Sequence, residues 1–226
     1  MKIENSPMDE WLRRYDEKYK QWRSDKMIDF SSRVIPVKES LEGRQWVLPT
    51  QQAAGIVAGS SVIALNSCVC RTNYGRCDNP RDICLLLDDY AQMALDKKFA
   101  RAIDVEEALV VLDSANQHGR VHLSLYRPDH KLYALCSCCA CCCHDLQLLL
   151  KHGRTNLTAK SEFLSKTDAA ACSNCGICAD RCVFGARFMD GVELKYDPDK
   201  CYGCGLCLTT CPCGAITLEP QTRLAV

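Results

Sequence analysis

Two runs of cysteines towards the end of the chain have the spacing of metal ligands. The runs CSNCGICADRC and CYGCGLCLTTC both follow the pattern C-x2-C-x2-C-x3-C, and the second is followed by Pro212. They repeat with a shift of 29 residues, from Cys172 to Cys201, so that every cysteine of one run falls on a cysteine of the other. Three cysteines at this spacing surround one iron–sulfur cubane, while the fourth reaches the cubane of the other run. Zinc is disfavoured because zinc sites more often use two separate cysteine pairs.

The two runs resemble those of the bacterial two-cluster ferredoxins. This resemblance implies a small pseudo-symmetric domain that holds two 4Fe–4S clusters and relays low-potential electrons. It assigns one cluster to Cys172, Cys175, Cys178 and Cys211, and the other to Cys201, Cys204, Cys207 and Cys182. Two positions depart from the family pattern: Val183 stands where a proline often follows the first run, and Cys213 occupies a position that is usually not a ligand. The repeat aligns Cys213 with Phe184, which predicts a small buried side chain near a cluster.

Ten further cysteines lie earlier in the chain, in two segments about 50 residues apart. They are Cys68, Cys70, Cys77, Cys84, Cys136, Cys138, Cys139, Cys141, Cys142 and Cys143. Successive residues of an extended chain point to opposite faces, so adjacent cysteines are poorly placed to bind the same cluster. We therefore expect the two segments to meet and to share their thiolates between two centres, with two thiols to spare. A single cluster, or one larger unusual cluster, also fits the count.

Charged neighbours of these ten cysteines have modest predicted roles. Arg71 and Arg76 are expected to balance nearby thiolate charge, although they could also raise a cluster's potential or hold an anionic partner. His144 follows the second segment directly, and an ordinary surface or capping histidine is favoured over a ligand or a proton donor.

The front of the chain also resembles a known group of sequences. The order CxCR, C and DxC, then Gly119, Val121 and His122, then CSCCACCC resembles the front half of cysteine-rich iron–sulfur proteins of anaerobic microbes. These proteins usually carry a dicluster ferredoxin module behind this region. The resemblance implies no particular activity.

The remaining sequence predicts the elements that must position these cysteines. Residues 1–30 are expected to form an amphipathic helical arm that packs on its own domain, with docking on a partner subunit as the alternative. Its recurring apolar positions are Met8, Trp11, Leu12, Tyr15, Tyr19 and Trp22. Helices are predicted over about 50–65, over 82–99, and from a capping box of Asp104 and Glu107 to Gly119. Strands at 121–125 and 132–135 flank a turn at Pro128 and Asp129, and a short helix ends near Gly153.

The predicted fold class is α+β. Residues 1–155 are expected to form a mainly helical, cysteine-rich domain with a small hairpin, followed by a polar linker over 156–168. The dicluster ferredoxin domain then occupies residues 169–226.

The composition and the apolar segments make several classes of function less favourable. The net charge is zero, so the sequence shows no basic excess that would favour nucleic acid. The N-terminus lacks the apolar segment of a secretory signal, and the apolar stretch at 53–65 is too short to span a bilayer. These features predict a cytoplasmic protein in a reducing compartment, where cysteines serve as metal ligands. No GxGxxG or P-loop is present, so any flavin would be carried by a partner subunit.

Three classes of function compete. An electron-transfer subunit of an oxidoreductase complex, passing low-potential electrons to or from a partner redox enzyme, requires only what the sequence contains. A cluster-dependent reductase, for example of a disulfide, would need spare thiols beside an N-terminal iron–sulfur site. A metal store is disfavoured because this chain has a patterned hydrophobic core. Whether the protein is itself an enzyme therefore stays open at the level of sequence.

Overall fold

The computed structural model describes residues 7–27, 32–35, 56–128 and 131–220, which include all nineteen cysteines. The N-terminal region is built on a seven-stranded sheet with the strand order β4-β2-β3-β6-β5-β1-β7. Its strands are β1 Ser32–Ile35, β2 Ile63–Ser67, β3 Asp82–Leu87, β4 Ala100–Ala102, β5 Val121–Tyr126, β6 Leu132–Cys138 and β7 Thr158–Ala159. Neighbouring strands are antiparallel except for the β1–β7 pair.

Five helices with both ends inside the described residues accompany this sheet. They are α1 Glu10–Ser24, α2 Val69–Tyr74, α3 Asp88–Asp96, α4 Val105–Gln117 and α5 His144–His152. The predicted capping of α4 is confirmed, because the Asp104 carboxylate accepts a hydrogen bond of 2.8 Å from the Glu107 N–H. The helical arm is also confirmed for residues 10–24, and it packs on its own domain, with Leu12 and Tyr19 in one cluster with Leu148 and Leu157. The remainder of the predicted arm, residues 1–6 and 28–30, lies outside the described residues.

The sheet is larger than the small hairpin that the sequence predicts. The predicted hairpin strands are β5 and β6, and they lie inside the sheet rather than on their own. The helix predicted over 50–65 is helical at 56–59 and becomes β2 at Ile63, while residues 50–55 lie outside the described part. The helix predicted over 82–99 begins as β3, and only Asp88–Asp96 is helical. Short apolar runs such as IALNS and DICLLL suit buried strands as well as helices, and here sheet pairing decides between them.

The predicted turn between the hairpin strands is only partly described. Pro128 belongs to the described residues, whereas Asp129 lies outside them. The predicted short helix is α5, which ends at His152, and Gly153 follows it with a positive φ of 65°.

The C-terminal region is made of short elements. Strand β8 (Phe163–Thr167) pairs antiparallel with β11 (Ile216–Pro220), and β9 (Arg187–Asp190) pairs with β10 (Glu193–Tyr196). The helices are α6 Ile177–Arg181 and α7 Leu206–Thr209, with a 3-10 turn at Pro198–Lys200. The segment predicted as a linker, 156–168, therefore contains β7 and β8, and β8 belongs to the sheet of the C-terminal region.

The two regions share one apolar core. Phe184, Tyr202 and Leu206 of the C-terminal region pack in the same cluster as Val121 and Leu146 of the N-terminal region. The rings of Phe184 and Tyr202 are stacked, with their centroids 4.5 Å apart. In the described part of the chain, no helix combines the length and apolar character needed to cross a membrane.

Candidate metal centres

The eight cysteines of the two C-terminal runs surround two separate cavities. The first, the outer site, is lined by Cys172, Cys175, Cys178 and Cys211. The second, the inner site, is lined by Cys182, Cys201, Cys204 and Cys207. Each site therefore combines three cysteines of one run with the fourth cysteine of the other run, which is the grouping that the ferredoxin resemblance implies.

Glycines give the two sites the same local backbone. Gly176 and Gly205 each precede a short helix, and their φ and ψ angles are 78° and −11° in one case and 79° and −8° in the other. Both lie in the left-handed region, which glycine adopts without steric cost. Gly203 has a further reason to be glycine, since a Cβ there would lie 2.0 Å from the Phe163 carbonyl oxygen. Its N–H donates to the Cys201 sulfur over 3.3 Å.

The inner site carries a buried positive charge. Arg187 is 2% exposed and donates from Nη2 to Ser165 over 3.0 Å. Arg187 lines the inner cavity, and its buried Nε has no hydrogen-bond partner among the described residues. Burial raises the pKa of Cys207 to about 11, and the Arg187 guanidinium opposes that rise. An unpaired buried donor beside four cysteines suits an anionic cluster, which would supply the missing acceptor.

The outer site is more open to solvent. Cys175 is exposed, and so is Cys213, whose Sγ lies 3.7 Å from the Cys211 Sγ. The prediction that Cys213 is buried is therefore wrong. Its repeat equivalent Phe184 is buried because it stacks on Tyr202 in the core shared with the N-terminal region. Cys213 does line the outer cavity, as its predicted position near a cluster requires.

The ten N-terminal cysteines form two groups in the structure. The first, which we call the four-thiol group, consists of Cys77, Cys139, Cys141 and Cys142, whose sulfur atoms all lie within 4.8 Å of one another. The second, the six-thiol group, lines a cavity of about 160 Å³ where β3, β6, α2 and α5 meet. Its members are Cys68, Cys70, Cys84, Cys136, Cys138 and Cys143, and Cys139 of the four-thiol group also lines this cavity.

The end of β6 divides the dense cysteine stretch between the two groups. Cys136 and Cys138 lie two residues apart on β6 and share one face, in the six-thiol group. After the strand ends, a turn closed by the Cys143 N–H and the Cys139 carbonyl over 3.0 Å places Cys139 in the four-thiol group. In the next part of the turn, Cys142 belongs to the four-thiol group and Cys143 to the six-thiol group. Of the three adjacent pairs, Cys138–Cys139 and Cys142–Cys143 are divided between the groups. Cys141 and Cys142 belong to the same group, so the expectation that adjacent cysteines serve different centres is wrong for this pair, which lies in the turn after β6.

Contacts between the thiols of the six-thiol group spread their pKa values apart. Hydrogen bonds with Cys70 and Cys84 lower the pKa of Cys68 to about 2. A hydrogen bond with the Cys143 thiol raises the pKa of Cys70, and one with Cys136 raises that of Cys84. One thiolate therefore forms readily, while its neighbours resist ionisation. A bound cation or cluster would be needed to stabilise several thiolates here at once.

The aromatic arm covers the six-thiol cavity. Tyr15 lines the cavity and stacks on the His144 ring, with the ring centroids 3.7 Å apart. His144 Nδ1 lies 3.2 Å from the Cys70 sulfur, and its Nε2 lies 2.9 Å from the Tyr19 hydroxyl. Burial lowers the pKa of His144, although Asp145 opposes this. The expectation of an ordinary surface or capping histidine is therefore wrong, because the arm encloses this side chain.

Two arginines flank the groups as predicted from the sequence. Arg71 is 1% exposed and donates to the carbonyl oxygens of Pro80 and Ser137 over 2.9 and 2.8 Å. Arg76 donates to Gln147 Oε1 over 2.8 Å and to the Cys141 carbonyl over 3.3 Å.

Residues 171–215 match a sequence family described as the 4Fe-4S dicluster domain. The C-terminal region is a ferredoxin-type module. No curated protein matches the chain. The ferredoxin-type module is thus supported by sequence family and by geometry, whereas the N-terminal groups rest on geometry alone.

Sequence reasoning missed several residues that contribute to these sites. The role of Arg187 could not be predicted from the sequence, because it depends on β9 lying beside the inner site. Tyr15 and Tyr19 were visible as part of a helical aromatic pattern, but the pattern does not tell which surface the arm covers. The sequence also gives no indication that Cys77 and Cys84 belong to different groups, since both lie in one segment with regular spacing.

Proposed function

We propose that this protein is an iron–sulfur electron-transfer protein that relays low-potential electrons between a partner redox protein and its own six-thiol group. The ligands of one 4Fe–4S cluster would be Cys172, Cys175, Cys178 and Cys211, and those of the other Cys201, Cys204, Cys207 and Cys182. When bound, such clusters supply one-electron redox centres. A further iron–sulfur cluster would use cysteines of the six-thiol group.

The observation that carries this proposal is the position of the inner site between the outer site and the N-terminal region. Cys182 and Cys204 pack against the same apolar core as Cys138 and Cys143 of the N-terminal region. The inner site and the six-thiol cavity therefore border the same apolar core. The exposed Cys175 marks the opposite end, where a partner could approach the outer site.

Protein groups around the inner site would influence the reduction potential of a cluster bound there. The Gly203 N–H directed at the Cys201 sulfur and the buried Arg187 both favour a negatively charged ligand set. Hydrogen bonds and charges of this kind raise the reduction potential of a bound cluster relative to a site that lacks them. No arginine lines the outer site among the described residues, although Arg187 also opposes the effect of burial, which raises the pKa of Cys178 there. We therefore expect the larger increase in reduction potential at the inner site.

A second candidate function is the reduction of a small disulfide in the six-thiol cavity. The specific observation is His144, which lies 3.2 Å from the Cys70 sulfur and against the Tyr19 hydroxyl. Cleavage of a disulfide takes up two electrons and two protons and yields two thiols. His144 and Tyr19 could hold a proton beside Cys70, while the electrons would come from the partner redox protein.

The test uses the full chain, purified without oxygen and reduced chemically. Iron and labile-sulfide counts above about eight of each per chain, the content of two 4Fe–4S clusters, would support a further cluster. Electron delivery is then followed by rapid-freeze electron paramagnetic resonance (EPR) in a Cys204→Ser variant, with Cys213→Ser as the control. We expect the N-terminal signal to appear much more slowly in Cys204→Ser, and unchanged kinetics would contradict the relay.

The two candidate functions differ in one further assay. The reduced protein is incubated with excess cystine and a reductant, and free thiols are counted over time. Repeated turnover that is lost in His144→Phe would support the reductase. Oxidation of the protein without thiol release supports the electron-transfer protein alone.

A further inference from the structure

The four-thiol group differs in its dimensions from the two C-terminal sites. The Cys77 sulfur lies 3.9 Å from that of Cys139 and 3.8 Å from that of Cys142. A single metal ion with four thiolates at about 2.3 Å in a tetrahedron separates the sulfur atoms by about 3.8 Å. These two distances match the edge of such a tetrahedron, and all the sulfur atoms of the group lie within 4.8 Å of one another.

An iron–sulfur cubane requires wider spacing. Its four ligands sit on four different irons, so the cluster core itself keeps their sulfur atoms apart. The cysteines of the outer and inner sites are arranged in this wider way around cavities. Within the described residues, the four-thiol group is the one set of metal-ligating side chains whose ligand atoms converge within 4.8 Å. The same chain thus contains two kinds of cysteine site, with and without room for a cluster core.

The backbone around the four-thiol group is held by side chains that are not ligands. Arg76 donates to the Cys141 carbonyl, and Gln147 Nε2 donates to the Cys142 carbonyl over 3.1 Å. Arg76 and Gln147 are also hydrogen-bonded to each other. Four thiolates and one divalent ion carry a net charge of −2, and Arg76 brings positive charge to the ligand turn. These contacts orient the ligands in the way that outer hydrogen bonds orient metal ligands elsewhere.

We propose that Cys77, Cys139, Cys141 and Cys142 bind one tetrahedral divalent metal ion, zinc or ferrous iron, and no iron–sulfur cluster. The ion joins the segment after α2 to the turn after β6, which are 62 residues apart in sequence. Since Cys138 and Cys143 flank this turn, the ion also fixes two thiols of the six-thiol cavity. The inference concerns a site outside the proposed electron path and does not depend on that function.

The test compares metal content with labile sulfide in the full chain and in a Cys77→Ser variant. Cys77 is half-buried, so its replacement disturbs packing less than replacement of Cys139 or Cys142. The wild-type chain should contain one zinc, or one iron in excess of its labile sulfide. Cys77→Ser should lose that one ion, with labile sulfide and the EPR spectrum of the ferredoxin-type module unchanged. Cys213→Ser, the matched control, should retain the ion.

Three results would overturn the proposal. They are a loss of labile sulfide together with iron in Cys77→Ser, retention of the single ion in that variant, and absence of any sulfide-free ion from the wild type. X-ray absorption provides a measurement that needs no variant when the ion is zinc, and Co²⁺ substitution serves when it is iron. Four sulfur neighbours at about 2.3 Å without a metal neighbour are expected at the zinc edge. The substituted Co²⁺ should show the visible spectrum of a tetrahedral tetrathiolate, and an octahedral spectrum would contradict the site.

Discussion

The two regions of this molecule bring cysteines together by different means. In the ferredoxin-type module, each site takes three cysteines from one short run, so much of its geometry is encoded within seven residues. In the N-terminal region, Cys77 meets Cys139 across 62 residues, and a seven-stranded sheet is needed to bring them together. The comparison indicates that the first kind of site depends on its cluster for structure, whereas the second depends on the fold.

Removal of the iron–sulfur clusters should produce the largest difference between the two regions. The helices α6 and α7 contain five and four residues, and both sheets of the module have two strands. Elements of this size bury little surface, so we expect residues 172–216 to lose most of their amide protection after iron chelation. Strands β2, β3, β5 and β6 should stay protected. Hydrogen–deuterium exchange with mass spectrometry measures both regions in one sample.

Equal loss of amide protection in both regions would contradict the inference that only the ferredoxin-type module depends on its clusters for structure. A control sample kept with its metals under the same reductant separates the effect of chelation from that of reduction.

The second prediction concerns the contact that holds the arm on the N-terminal region. Asp16 is 3% exposed, and its carboxylate accepts from Arg154 Nε over 2.7 Å and from Nη2 over 3.0 Å. Asp16→Ala should lower the free energy of unfolding by about 2 kcal/mol, because it removes two hydrogen bonds between charged groups that tie the arm to Arg154. Denaturant unfolding followed by tryptophan fluorescence measures this change. Thiol alkylation should also become faster at Cys70 but not at Cys204.

Asp25→Ala is the matched control at the exposed end of the same helix. Its effect should stay within about 0.5 kcal/mol. Equal destabilisation by the two variants would mean that the arm is not held through Asp16.

The third prediction places an acid-sensitive group in the sheet of the N-terminal region. Burial lowers the pKa of His122 to about 3, and its Nε2 has no hydrogen-bond partner among the described residues. The unfolded chain binds a proton near pH 6.5 and the folded chain does not, so stability falls as the pH drops below 6.5. The slope from this group is at most about 1.4 kcal/mol per pH unit, down to the folded pKa.

His122→Leu should remove this slope between pH 6.5 and 5, as measured by denaturant unfolding at several pH values. The control His118→Leu, at an exposed position, should keep it. An unchanged slope in His122→Leu would assign the acid sensitivity to another group.

The smallest effect is expected at the contact between the regions. Arg181 Nη2 donates to the carbonyl oxygens of Asn116 and Gln117 at the end of α4, the latter over 3.1 Å. Arg181→Ala should cost about 1 kcal/mol and should separate the unfolding transitions of the two regions. Lys195→Ala, an exposed change in the same module, is the control. Coincident transitions in Arg181→Ala would show that the apolar core alone couples the regions.

Local patterns in the sequence predicted some features well. The C-x2-C runs predicted the ferredoxin-type module, because the spacing itself places three thiols around one point. Asp104 and Glu107 predicted the start of α4, since a capping interaction involves residues only three positions apart.

Features that depend on distant contacts were not predictable in the same way. The run DICLLL is apolar along its whole length, and only pairing with β2 and β6 makes it a central strand. His144 is buried because the arm, more than a hundred residues earlier, stacks on it. Cys213 is exposed because none of the described residues covers it as Tyr202 covers Phe184. In each case the deciding neighbour is remote in sequence.

The distance along the chain between Cys77 and Cys139 also has a consequence during protein synthesis. At about 5–20 residues per second, a gap of 62 residues takes roughly 3–12 seconds to translate. Throughout this interval Cys68, Cys70 and Cys77 have been synthesised but β6, the strand that completes their surroundings, has not. The nascent chain is therefore most vulnerable to oxidation before either N-terminal cysteine group exists, and oxygen exposure at that stage would favour disulfides between thiols that the folded protein keeps free.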